Sequence, residues 1–420
     1  MLKKILLVLM MFATGNLLAQ QLDTDFPKTF RVKITNTQTD ARENTLVVLS
    51  PEQIRNVAGQ FNAKAFVVTD GGKEIPSQYN AHDKDNAGIV FVIEKLAPSE
   101  SRNIVVRYNP SGSNPRTYAK QTQAELSRKT GGEWKGREYI GGTFQNVDYL
   151  RVPPEHKDHS WFIRYEGPGW ESDKVGYRFY LDQRNAADVF GKKTPEPVLQ
   201  NVGLDGFDSY HNPQPWGMDV MKVGKSLGIG SIGAQVDGKT IRVEKTDSVS
   251  CRIIENGAVY SSLLTNYSGW LVGTKKHDVQ SRISIHAGTR LTHQQLTLTN
   301  NAETLVTGIV KDTNAKLFTD KGSAQQWAYL ATYGKQSLNS DELGLAVLVK
   351  PLSLTAFVED EFSHIAQLKV TQGKLDYYYL AAWIGEPGGI ADEKQFLDYV
   401  SRVAKELAHP VKVVLTADKK

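Results

Sequence analysis

His156–Lys192 reads HKDHSWFIRYEGPGWESDKVGYRFYLDQRNAADVFGK, and the run Lys174–Gln183 inside it sets the fold class. Taken at period two, this run separates into two faces. Val175, Tyr177, Phe179 and Leu181 point one way; Arg178, Tyr180 and Asp182 point the other. That is a strand with one packed face and one face carrying a cation, a phenol and an acid. Glu166-Gly-Pro-Gly-Trp-Glu-Ser-Asp173 before it is turn material that brings backbone close to a ligand.

Working outward, the same pattern recurs. Thr29–Ile34, Thr45–Leu49, Ala65–Thr69, Gly88–Ile93 and Ser101–Tyr108 are short runs rich in Val, Ile and Phe, with a hairpin signal at Asp70-Gly71-Gly72. They predict an N-terminal β-sandwich over residues 20–110 that folds alone and holds no catalytic site. Asn109–Pro115 is a linker by composition, and residues 111–136 read as linker and arm. From 137 to the end, runs such as Ser248–Ile254, Val279–His286, Gln294–Thr299, Leu345–Val349 and Asp376–Ile384 predict two large antiparallel sheets. The expected class is all-β. One helix interrupts it, capped by Asp392, with Gln395 at the capping-box position and Phe396, Leu397, Val400, Ala404 and Leu407 on one face.

The ends and the composition narrow the function. Residues 1–19 have a basic start at Lys3 and Lys4, an apolar run Ile5–Phe12 and a cleavage point at Ala19, which predicts export to the periplasm or medium. The apolar run is too short to span a bilayer, and no cysteine follows it to carry a lipid. The single cysteine, Cys251, closes no internal disulfide and sits in a strand-like context, so it reads as a buried thiol. A net charge of +4 spread along the chain gives no nucleic-acid footprint. No protein partner is implied.

Four stretches carry a resemblance beyond residue patterns: Tyr165–Lys192, Gly203–His211 (GLDGFDSYH), Trp216–Gly233 (WGMDVMKVGKSLGIGSIG) and Tyr377–Val400 (YYYLAAWIGEPGGIADEKQFLDYV). In these the chain resembles a secreted bacterial family of formerly unknown function, encoded in polysaccharide-utilisation loci. The resemblance covers essentially the whole mature chain. It implies a galactose-mutarotase-like supersandwich for the larger domain, residues 137–420. It also implies kinship with the ulvan oligosaccharide dehydratase group, whose chemistry removes water from a non-reducing-end uronic acid to leave a 4,5-unsaturated sugar. A lyase acting on a glycosidic bond needs the same parts, and a sugar epimerase or mutarotase and a glycan-binding protein are the rival readings.

Such an elimination needs a carboxylate neutraliser, a base for the C5 proton and an acid for the leaving oxygen. For neutralisation the strand pattern favours Arg178, then Arg184, with Arg164 in a more structural context. For base and acid, His211 in the polar loop Phe207–Pro213 and Tyr180 lead, followed by Tyr210 and Lys222. Trp170 and Trp216 in Gly/Pro-rich loops are candidate sugar platforms. Arg282 and His286, on one face of Val279–His286, are expected to line a groove beside Arg178. Glu166, Glu171 and Asp182 are expected to bind substrate; with Asp188 they leave a two-carboxylate glycosidase open. No cofactor is implied. His156, Asp158 and His159 have metal-like spacing, and Glu171 and Asp173 offer hard oxygens, without fixing a metal.

Overall fold

The computed structural model describes residues 21–299 and 304–418; the expected signal, residues 1–19, lies outside the described residues. The chain forms two compact units. One takes the described residues up to Ala119 and from Pro410 onward, the other Lys120–His409.

The first unit is a sandwich of a five-stranded and a three-stranded antiparallel sheet. Alternation along Lys28–Thr35 buries Phe30, Val32 and Ile34 against Val47, Leu49, Phe91 and Ile93 of the facing sheet. Gly71 and Gly72, both at positive φ, make the tight turn between Phe66–Asp70 and Lys73–Ile75. The sandwich does not close at residue 110, as the sequence had suggested. Its edge strand is Lys412–Ala417, which pairs antiparallel with Lys28–Thr35 from Phe30↔Ala417 to Thr35↔Lys412. Val413 and Leu415 pack on its core. The reason is Pro410: it stops the helix, and the alternating run behind it supplies one more strand.

The second unit is an antiparallel supersandwich. A nine-stranded sheet runs, in spatial order, Tyr149–Arg151, Ser248–Asn256, Tyr260–Val272, Lys275–His286, Leu291–Leu298, Lys374–Trp383, Leu343–Val349, Ala328–Gly334 and Ala315–Asp320. Two five-stranded sheets oppose it. One is ordered Gly217–Asp219, Ala187–Lys192, Val175–Phe179, Gly169–Ser172, Thr122–Glu125; the other contains Gly233–Val236, Thr304–Val310 and Ser363–Lys369. Bridges at Ala187–Gly228 and Ile229–Ile309 tie the two through the segment Gly228–Ile229. Trp170, Tyr177, Val189, Trp270, Ile283, Leu345 and Tyr379 share the core between the layers. Cys251 is in that core, and burial pushes its thiol up to about 12, as an inert position requires.

From Lys120 on, the arm expected over 111–136 is instead part of this unit. Thr122–Glu125 completes the first five-stranded sheet against Gly169–Ser172, and Ser127–Lys135 forms a hairpin with Glu138–Asn146. Its polar residues hid it: Thr122, Gln123 and Glu125 are buried, but in a polar layer. The helix Glu393–Ala408 lays Phe396, Val400, Val403 and Ala404 on Ala331, Tyr333, Leu348 and Leu380, on the other face of the nine-stranded sheet. The Asp392 side chain accepts from Gln395 N at 2.8 Å, as its capping position predicts. Among the described residues no helix is long and apolar enough to cross a membrane.

Candidate functional site

The site grows from the two faces of Val175–Phe179. Tyr177 and Phe179 point into the core with Trp170, whose ring stacks on Tyr177 at 5.7 Å and whose Nε1 donates to Thr292 Oγ1 at 2.8 Å. Arg178 points the other way, with Asp188 and Phe190 of the neighbouring strand. That face is not open to solvent. Val198, Leu199, Val202 and Tyr210, from the segment after Lys192, pack on Phe190 and Tyr165 and roof it.

Arg178 is therefore 1% exposed, and its donors are spoken for. Nη2 donates to Asp219 Oδ2 at 2.7 Å, Asp188 Oδ2 at 2.8 Å and the Tyr180 hydroxyl at 3.2 Å. Nη1 donates to the Tyr210 hydroxyl at 2.9 Å and to Tyr165 O at 3.2 Å. The Tyr180 hydroxyl in turn donates to Asp188 Oδ2 at 2.8 Å. A guanidinium so occupied has no fork left for a substrate carboxylate. Arg178 is therefore not free to be the neutralising residue expected.

Two carboxylates beside one cation, out of water, disfavour a full negative charge. Burial first, and then Asp219, push Asp188 up to about 7 against the pull of Arg178. Burial likewise raises the Tyr180 and Tyr210 hydroxyls, which stay protonated at neutral pH. His211 is the way out of this cluster. Its Nε2 lies 3.4 Å from Asp219 Oδ2, and its side chain is 38% exposed. The bond to Asp219 raises its pKa above the ordinary histidine value. A single turn of 3-10 helix, Ser209–His211, holds the ring against Tyr210 with centroids 4.5 Å apart.

Arg184 marks a second group, linked to the first through Glu166. Its Nη2 lies 2.7 Å from Glu166 Oε1 and 2.5 Å from Asp182 Oδ2, and its Nη1 2.7 Å from Asp158 Oδ1. Glu166 Oε2 is 3.7 Å from Arg178 Nη1. The Arg184 guanidinium lies 3.9 Å above the Tyr180 ring. At 21% exposure it is the arginine of the site that meets solvent. Asp158, His159 and Glu166 hold ligand atoms within 4.8 Å of one another, so a divalent cation would find its donors there; Arg184 bridges two of the three. His156 points elsewhere, to Ser160 Oγ at 2.7 Å.

The backbone marks the same place. Of ten non-glycine residues with positive φ among the described residues, five are His159, Trp161, Tyr165, Glu166 and Asn185. Each such residue costs about 1–3 kcal/mol, and such strain gathers where side chains must be aimed.

Other expected site residues lie apart. Trp170 is fully buried between the sheets and is no sugar platform. Glu171 pairs with Lys192 Nζ at 2.6 Å, each 1% exposed, and accepts from Val198 N and Leu199 N at 2.9 and 3.0 Å; it anchors the roof rather than a ligand. Arg164 is buried against Glu125 and donates to Gln200 O at 2.9 Å. Trp216 is half-buried edge-on to Phe190. Lys222 is exposed. Arg282 and His286 do not flank Arg178: Ile283 and Ile285 enter the core, so their alternates lie on the far face of the nine-stranded sheet. Asp219 is the participant sequence reasoning missed. Its signal was faint, one acid between Met218 and Val220 in a strand of three residues.

A family model described as a domain of unknown function, DUF4861, matches residues 34–413. The chain belongs to the DUF4861 family. No curated protein matches it in sequence. Among solved structures, this DUF4861 chain is similar to an α-mannosidase from Enterococcus faecalis V583, at 10% identity and a TM-score of 0.52, over 93% of this chain and 46% of that one. It is also similar to a glycosyl hydrolase family 38 protein from Enterococcus faecalis, at 8% identity and a TM-score of 0.47, over 93% of this chain and 48% of that one. The chain thus spans less than half the length of either; the first likeness shows the fold.

Proposed function

We propose that this DUF4861 protein is an exported carbohydrate-active enzyme that eliminates water from a uronic acid at the non-reducing end of an acidic oligosaccharide. The observation that carries the reading is His211, a half-exposed imidazole tied to a buried carboxylate at the mouth of a buried, hydrogen-bonded cluster. In this reading neutral His211 takes the proton from C5. The electron pair forms the C4–C5 double bond and the C4–O bond breaks. The departing hydroxyl takes its proton from solvent and leaves as water, while solvent takes the proton from His211; Tyr180, whose hydroxyl is buried and bonded to Asp188, holds the cluster behind them. Arg184, with one Nη1 hydrogen beyond its contacts to Asp158, Glu166 and Asp182, meets the substrate carboxylate as charge builds there. The sugar-processing neighbour in fold supports a glycan substrate, and the resemblance of the Tyr165–Lys192 and Gly203–His211 stretches to the dehydratase group supports elimination.

The test is incubation with oligosaccharides ending in glucuronic acid, read by mass and by absorbance near the ultraviolet edge. Elimination gives a product lighter by one water that absorbs. An isomer of unchanged mass would favour an epimerase, and binding without any product would favour a glycan-binding role.

A further inference from the structure

Lys129 lies in the hairpin strand Ser127–Lys135 and is 5% exposed. A lysine so buried ordinarily faces a carboxylate. Among the described residues the Lys129 ammonium faces none. It faces two rings, with Trp161 at 3.4 Å and Phe144 at 5.3 Å from Nζ to the centroid. Burial lowers its pKa, as an ammonium without a counter-ion requires. Next to it the indole Nε1 of Trp161 is buried and has no hydrogen-bond partner. Trp161 holds this place at φ 53°, a conformation unfavourable for a bulky residue.

One cation on a largely buried side chain and one buried N–H thus meet at the Trp161 indole without an acceptor. Each is costly alone, and a single anionic oxygen group satisfies both. The place adjoins the site. Phe207 lies 6.4 Å from Trp161 and 4.9 Å from the His159 ring, and His159 Nδ1 bonds Asp158, the partner of Arg184.

We propose that Lys129 and Trp161 form a subsite for an anionic substituent, a carboxylate or a sulfate ester, on the sugar next to the reacting one, with Phe207 as its apolar wall. This rests on the glycan reading of the His211 site, but binding here is measurable without turnover.

The full chain is labelled with ¹⁵N-tryptophan, and the Trp161 indole resonance is assigned by its absence in Trp161→Phe. Sodium sulfate and sodium glucuronate are then titrated separately. The Trp161 N–H signal is expected to move saturably with at least one of them, and the anion that moves it identifies the substituent. In Lys129→Met the movement is lost and the protein melts no lower than wild type, since an unpaired charge has been removed. No saturable shift with either anion, or a shift that survives in Lys129→Met, overturns the subsite. Elimination without that shift would overturn the subsite and leave the His211 reading standing.

Discussion

Nε2 of His211 lies 3.4 Å from Oδ2 of Asp219, so a half-exposed imidazole is tied to an acid that is 1% exposed. The acid holds the imidazolium above its ordinary pKa. As a base His211 must be neutral, so turnover rises with pH through that raised value and then levels. Asp219→Asn removes the cause, and the acidic limb of the pH–rate profile is expected to move to lower pH. A limb that stays in place would detach Asp219 from His211.

Arg178 gives the clearest stability prediction. It neutralises Asp188 and Asp219 in a site where all three side chains are 1% exposed. Arg178→Met leaves two buried acids without their cation and is expected to lose about 3–5 kcal/mol in denaturant unfolding. Unchanged stability would place the residue at a surface after all.

Asp188 makes stability depend on pH in an uncommon direction. Its folded pKa is pushed up to about 7, above the usual carboxylate value. Between pH 4 and 7 the folded protein therefore holds a proton that the unfolded chain releases, and stability falls as pH rises through that window. Asp188→Asn mimics the protonated form. The wild type should lose stability relative to this variant from pH 4 to pH 7, and a flat difference would contradict the assignment.

Period-two alternation located the strand Val175–Phe179 and assigned Tyr177 and Phe179 to one face and Arg178 to the other, because a pleated strand leaves no other choice. The same rule could not say what covers the Arg178 face. The roof comes from Val198–Tyr210, whose apolar residues have no period and are joined to the sheet through contacts with Phe190. Polar residues therefore read as an open groove where the structure has a buried network. Trp170 and Glu171 misled for the same reason, since nothing local separates a loop aromatic from a core one. His211 was legible as a loop histidine; its partner Asp219, eight positions on, was not.

The N-terminal sandwich shows another limit, because strand partners far apart in sequence leave no local mark. A fragment of residues 21–110 lacks Lys412–Ala417 and exposes the edge of Lys28–Thr35. It is expected to melt lower and aggregate more readily than a chimera in which residues 410–418 are joined to it through a flexible linker. Equal melting of the two would show that the strand is dispensable.

In the proposed mechanism His211 moves the proton in an elimination. Its most direct test is the initial rate at which absorbance near the ultraviolet edge grows with a glucuronate-ended oligosaccharide, for wild type and His211→Gln at matched folded concentration. Gln keeps a polar side chain of similar reach but cannot cycle a proton near neutral pH. Growing absorbance is expected in wild type and a rate lower by about 10²–10⁴ in the variant, with little change in melting temperature. Near-normal absorbance growth in His211→Gln, or none in wild type on any acidic oligosaccharide, would contradict it.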